Sequence, residues 1–138
     1  MDAIYRPINN GVYRCGFAGN QEVYNQALGE LFAALDHWDD VLGQQRFMTG
    51  DTLTLADLAL FATLIRFDPV YYVHFKTNIR HIYEYPHLWR FVREVYNTPH
   101  VAEITHLDQI KEHYFRSHSH LNPKGFIPGG PHLNLNYS

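Results

Sequence analysis

Over residues 20–42 the apolar side chains Tyr24, Leu28, Leu31, Phe32, Leu35, Trp38 and Leu42 return every three or four positions, the repeat of a single helix face. Asn20 ahead of this run is a favoured N-cap, Glu22 suits the positive first turn, and Gly43 behind it can take the left-handed conformation that stops a helix. The pattern predicts one long amphipathic helix. A turn around Thr49, Gly50 and Asp51 leads to Thr54, Leu55, Ala56 and Asp57, a capping box in which Thr54 accepts from the Asp57 N–H and the Asp57 carboxylate reaches back to the Thr54 N–H. Residues 58–67 are apolar nearly all round, which predicts a helix at the buried centre.

The flanking regions read less sharply. Ile4, Ile8 and Val12 fall four apart, as on a short helix, and Pro7 limits how far upstream it runs unbroken. Asp68 and Pro69 read as the cap and opening of another helix, while Pro86 and Pro99 each suit a first helical position. Leu88, Phe91, Val92 and Val95 supply a packing face behind Pro86, and residues 107–114 can form a last short helix. Beyond Ser117 the prolines and glycines of residues 123–131 break all periodicity. The expected fold is all-α: a helical domain over residues 1–116, six or so helices, then an extended Pro/Gly-rich tail over 117–138.

Composition narrows the functions. A chain of 138 residues suits one core, and 46% hydrophobic with 18% charged residues is ordinary for a globular protein. Ten Tyr and nine Phe exceed what a simple bundle needs, so some rings are candidates for a binding site. A net charge of −3 without a basic run argues against nucleic acid or an anionic membrane surface. No apolar run approaches the roughly 18 residues of a membrane span. With one cysteine and no signal-like N-terminus, a cytoplasmic setting is expected.

Few residues carry chemistry on spacing alone. Cys15 beside Arg14 invites a nucleophile reading, but a lone cysteine is more often a small buried apolar group, and no activating environment is visible. His113, His118 and His120 lack the spacing and companion ligands of a zinc site, so no metal is expected. Phosphate loops, nucleophile elbows and zinc-protease motifs are absent. Arg66 reads as a surface ion-pair partner of Asp68 or another carboxylate.

Three segments say more together: Asn9, Asn10, Gly11, Val12, Tyr13, Arg14, Cys15, Gly16, Phe17; then Arg66, Phe67, Asp68, Pro69, Val70, Tyr71; then His113, Tyr114, Phe115, Arg116, Ser117, His118. In this order they resemble the C-terminal helical domain of glutathionyl-hydroquinone reductases, the xi-class branch of the glutathione transferases. The resemblance covers most of the chain, from Ile4 to about Pro131. It implies that residues 1–17 are the end of a longer helix, and that Tyr13 and Tyr114 contact a quinol-type substrate. It adds Tyr71, His74 and His113 as further candidate substrate contacts, and makes Thr54 and Asp57 a structural cap.

The resemblance also implies glutathione as co-substrate, a likeness to homodimers, and a catalytic cysteine in a thioredoxin-like domain. None of that domain's motif occurs in these residues, so no catalytic nucleophile and no glutathione site is expected here. The alternative expectation is a stand-alone helical binding or interaction module derived from such a domain, which predicts an exposed apolar face.

Overall fold

The computed structural model describes residues 2–136. Among them there is no strand, and the all-α expectation holds. The chain enters through α1 (Asp2–Ile4), passes a π turn (Tyr5–Asn9) and continues into α2 (Gly11–Gly16). Pro7, which has no N–H to give, sits inside that wider turn, and Ile4, Ile8 and Val12 are all buried as their spacing predicts.

The long amphipathic helix is α3 (Gln21–Leu42). Its N-cap is Asn20, whose side chain accepts from the Val23 N–H at 2.9 Å. Its end departs from the expectation: Gly43 is right-handed at φ −77°, not left-handed. Glycine serves space here, since a Cβ would lie 2.8 Å from the His87 ring.

α4 (Leu55–Arg66) carries the capping box and packs Leu60, Phe61, Leu64 and Ile65 into the core. Being apolar all round does not bury it all round. Residues 59–67 are buried or half-buried as expected, but Leu58 is exposed, and Leu55, ahead of that run, is 81% exposed. Nor does α4 stop at Asp68. A second π turn (Phe67–Tyr71) carries the rod on into α5 (Tyr72–His74), with Pro69 inside the turn. Asp68 therefore caps no helix of its own. Buried within the turn, it accepts from the Ile82 N–H at 2.7 Å, the Tyr83 N–H at 3.2 Å and His81 Nδ1 at 3.2 Å, anchoring a 3₁₀ turn (Ile82–Glu84). Burial pushes its carboxyl up, and these hydrogen bonds oppose the shift.

α6 (Pro86–Tyr96) begins with proline as expected, and Asp39 of α3 accepts from the His87 and Leu88 N–H groups to satisfy its first turn. The second proline expectation fails. Pro99 lies in a turn, His100 takes φ +74°, and the short α7 (Val101–Ile104) starts beyond it. α8 (Leu107–Ser117) runs one full turn or so further than the periodicity suggests, because Phe115 drives into the core. The tail has no regular structure but is tied down: Leu135 is buried, the Asn97 side chain donates to its carbonyl at 2.8 Å, and Lys111 donates to Gly130 O at 3.2 Å.

Candidate functional site

Three elements far apart in sequence bring their tyrosines to one point. Tyr13 stands on α2, Tyr71 ends the second π turn and Tyr114 lies on α8. The Tyr13 and Tyr114 hydroxyl oxygens are 2.6 Å apart, and the Tyr71 and Tyr114 oxygens 3.0 Å apart. Tyr71 is buried, while Tyr13 and Tyr114 are half-buried. Three hydroxyls offer three hydrogens, and the two contacts use two. The donor in each contact is not fixed by the geometry, and lone pairs remain on the half-buried Tyr13 and Tyr114 oxygens.

Burial holds the Tyr13 and Tyr71 phenols neutral. It pushes Tyr13 and Tyr71 above the usual phenol range, with the hydrogen bond to Tyr114 adding to both shifts. Phe75 forms the wall beneath, stacked on Tyr71 at 5.3 Å and tilted against Tyr13 at 5.1 Å between ring centroids. That wall explains Gly16: a Cβ there would fall 2.2 Å from the Phe75 ring.

The histidines divide. His74 does not reach the hydroxyls; it is buried behind them, its Nε2 2.8 Å from Nδ1 of His118. Burial, then the charges of His118, Lys76 and His120, push His74 down to about 4, and His118 is also lowered by burial. Both rings are neutral near pH 7, one nitrogen donating to the other. His113 is exposed, its ring edge-on to Tyr114 at 5.5 Å. Among the described residues no group of three His, Cys, Asp or Glu side chains is placed to hold a metal.

Cys15 is buried, and loss of water pushes its thiol up to about 11 against the opposing Arg14 charge. Arg14 is itself engaged by Glu30 at 2.6 Å. Both features oppose a nucleophile. Arg66 also departs from expectation: among the described residues it meets no carboxylate, and it donates to Ala62 O at 2.6 Å. From there it borders a cleft of about 310 Å³ with Tyr114, His106, Gln109 and His113. Spacing gave no sign of this cleft or of the His74–His118 pair, since both join elements through tertiary packing. Thr54 and Asp57 lie apart, in the cap of α4: the Asp57 carboxylate accepts from the Thr54 N–H and the Met48 N–H, each at 2.8 Å.

Similarity to known proteins identifies the family. Residues 21–94 match the glutathione S-transferase C-terminal domain. The chain belongs to that family. It is 47% identical over 132 residues to the glutathionyl-hydroquinone reductase YqjG of Escherichia coli K12, a match covering 96% of this chain and 40% of that protein. The glutathionyl-hydroquinone reductase PcpF of Sphingobium chlorophenolicum is 45% identical, covering 93% of this chain and 41% of the relative. The chain thus spans about two fifths of the length of these relatives. Among solved structures, a xi-class transferase from Natrialba magadii superposes with a TM-score of 0.96 at 51% identity, covering 97% of this chain and 41% of the other. Glutathione-bound YqjG superposes at 0.95 with 46% identity, covering 97% and 44%.

Proposed function

We propose that this chain is the substrate-holding helical domain of a glutathionyl-hydroquinone reductase, with Tyr13 and Tyr114 binding the quinol ring. The observation carrying this reading is the 2.6 Å contact between their hydroxyls, made across 101 residues at a half-exposed edge. A hydroquinone hydroxyl inserted at that edge can donate to a free lone pair of Tyr13 or Tyr114 or take the place of one internal hydrogen bond, while its ring lies against the aromatic wall. Tyr71 acts behind them as a positioning residue, and His113 borders the ring.

The reaction is a reductive cleavage of a carbon–sulfur bond, with thiols as the reductant. A cysteine thiolate in a thioredoxin-like domain takes the glutathionyl sulfur, the ring carbon leaves with its electron pair and is protonated to hydroquinone, and a mixed disulfide remains. A second glutathione then attacks that disulfide, releasing glutathione disulfide and restoring the thiolate. Tyr13 and Tyr114 hold the ring oxygens during the first step and supply no nucleophile. The exposed side of α4 around Leu55, Leu58 and Ile104 is apolar and suits a covering domain. Homodimerisation in the cytoplasm completes the proposal.

Calorimetric titration of the chain with hydroquinone tests the binding half. Tyr114→Phe and Tyr13→Phe should each weaken affinity about tenfold, the value of one lost hydrogen bond to a substrate hydroxyl of about 1.4 kcal/mol. Undiminished affinity in the double variant defeats the reading.

A further inference from the structure

The cleft beside Tyr114 is wider than a quinol hydroxyl requires, and its chemistry differs from the cluster. Arg66 at the end of α4 uses one hydrogen bond, to Ala62 O, and leaves the rest of its guanidinium fork available. Around it stand the imidazoles of His106 and His113 and the carboxamide of Gln109. Ile104 and Ile110 complete the lining with Tyr114, so the cleft has an apolar flank beside its donors. No carboxylate lines it, in a chain whose net charge is −3. Of the acids on α7 and α8, Glu103 lies against His100 and Glu112 against Arg116, and Asp108, in the first turn of α8, is outside the lining. At about 310 Å³ the cleft stands at the lower end of small-molecule sites, large enough for one substituted ring.

We propose that this cleft is a carboxylate subsite, and that the substrates it favours are hydroxylated aromatic rings bearing a carboxylate. Arg66 takes the carboxylate, the ring rests against Ile104 and Ile110, and a ring hydroxyl reaches Tyr114. A guanidinium suits the task because its planar fork matches a carboxylate and keeps its charge at any working pH. This rests on the quinol reading for the role of Tyr114, but the role of Arg66 is tested separately. A carboxylate could come from the ring or from the glutathionyl group; the assignment here is to the ring.

The experiment compares binding of hydroquinone, 2,5-dihydroxybenzoate and its methyl ester to the chain by calorimetry. The acid should bind about tenfold more tightly than the ester, a margin typical of a charge-assisted contact, and the margin should shrink as salt is raised. Arg66→Gln should abolish the margin and leave hydroquinone affinity unchanged, while Arg66→Lys should keep part of it. Equal affinity for acid and ester overturns the subsite, and that comparison needs no variant to fold. Competition by glutathione against the acid, lost in Arg66→Gln, assigns the carboxylate to the glutathionyl group and overturns the ring-borne version. Should the acid bind through Arg66 while hydroquinone does not bind at all, the subsite stands and the quinol reading falls.

Discussion

Two kinds of buried polar group hold this domain together, and they differ in what satisfies them. Asp57 and Asp68 are filled by donors fixed in direction, mostly backbone N–H groups: Met48 and Thr54 for one, Ile82 and Tyr83 for the other. Each carboxylate closes a loop onto a helix and has little left for a ligand. Tyr13, Tyr71 and Tyr114 are satisfied instead by one another, through hydroxyls that can each act as donor or acceptor and flip between two in-plane positions. A polar cluster that can turn its hydrogens at little cost can exchange an internal partner for a substrate. The carboxylates are fastenings; the phenols are the proposed site.

Asp57→Ala gives the largest expected effect on this contrast. It strands the buried Met48 N–H and removes the cap of α4, so unfolding free energy should fall by about 3 kcal/mol in urea titration. Hydroquinone affinity of the protein that remains folded should not change. A loss of affinity at full stability would erase the distinction between the two groups.

Acid should loosen the region behind the phenols next. His74 stays neutral down to about 4, whereas in the unfolded chain it titrates near the ordinary 6.5. Between those values the unfolded state binds more protons, so the stability this group contributes is complete above about pH 6.5 and is lost as pH falls towards 4. The expected loss by pH 4 is roughly 2–3 kcal/mol. The proton meets opposition from His118, its hydrogen-bond partner, and from Lys76 and His120. His74→Phe should flatten this part of the stability profile; an unchanged acid slope would remove the pair from the account.

Tyr71→Phe separates positioning from contact. It removes the innermost hydroxyl and leaves the ring stacked on Phe75, so stability should drop by only about 1 kcal/mol. Tyr114, having lost the partner behind it, should bind hydroquinone a few-fold less tightly, and less severely than after Tyr114→Phe. An effect as large as that of Tyr114→Phe would make Tyr71 a direct contact.

These regions also differ in how legible they were. The α3 stripe, the Asn20 cap and the capping box are local, built within a few residues, and periodicity with side-chain chemistry is enough to read them. Asp68 misled because its partners lie about fourteen residues onward, and a π turn carried the helix through Pro69 where a start was expected. Tyr13 and Tyr114 were legible through family resemblance alone: among ten tyrosines nothing in their spacing marks these two. Arg66, His106 and Gln109 were not legible as neighbours, because only the fold of α7 and α8 against α4 assembles their cleft.

A contrast of the same kind stands within one short helix. Tyr13 and Cys15 stand two residues apart on α2, where a step of two turns side chains to nearly opposite sides. Tyr13 reaches the half-exposed cluster, while Cys15 is 4% exposed and its thiol is pushed up to about 11. At pH 8 only about a thousandth of it is thiolate, and that fraction is shielded by the core. Iodoacetamide should therefore label Cys15 in the folded chain at least about a hundredfold more slowly than in the urea-unfolded chain. Hydroquinone should not alter the folded rate, since its expected contacts lie on the other side of α2. Rapid labelling that hydroquinone blocks would put Cys15 in the site beside Tyr13 and reopen the question of a nucleophile within this domain.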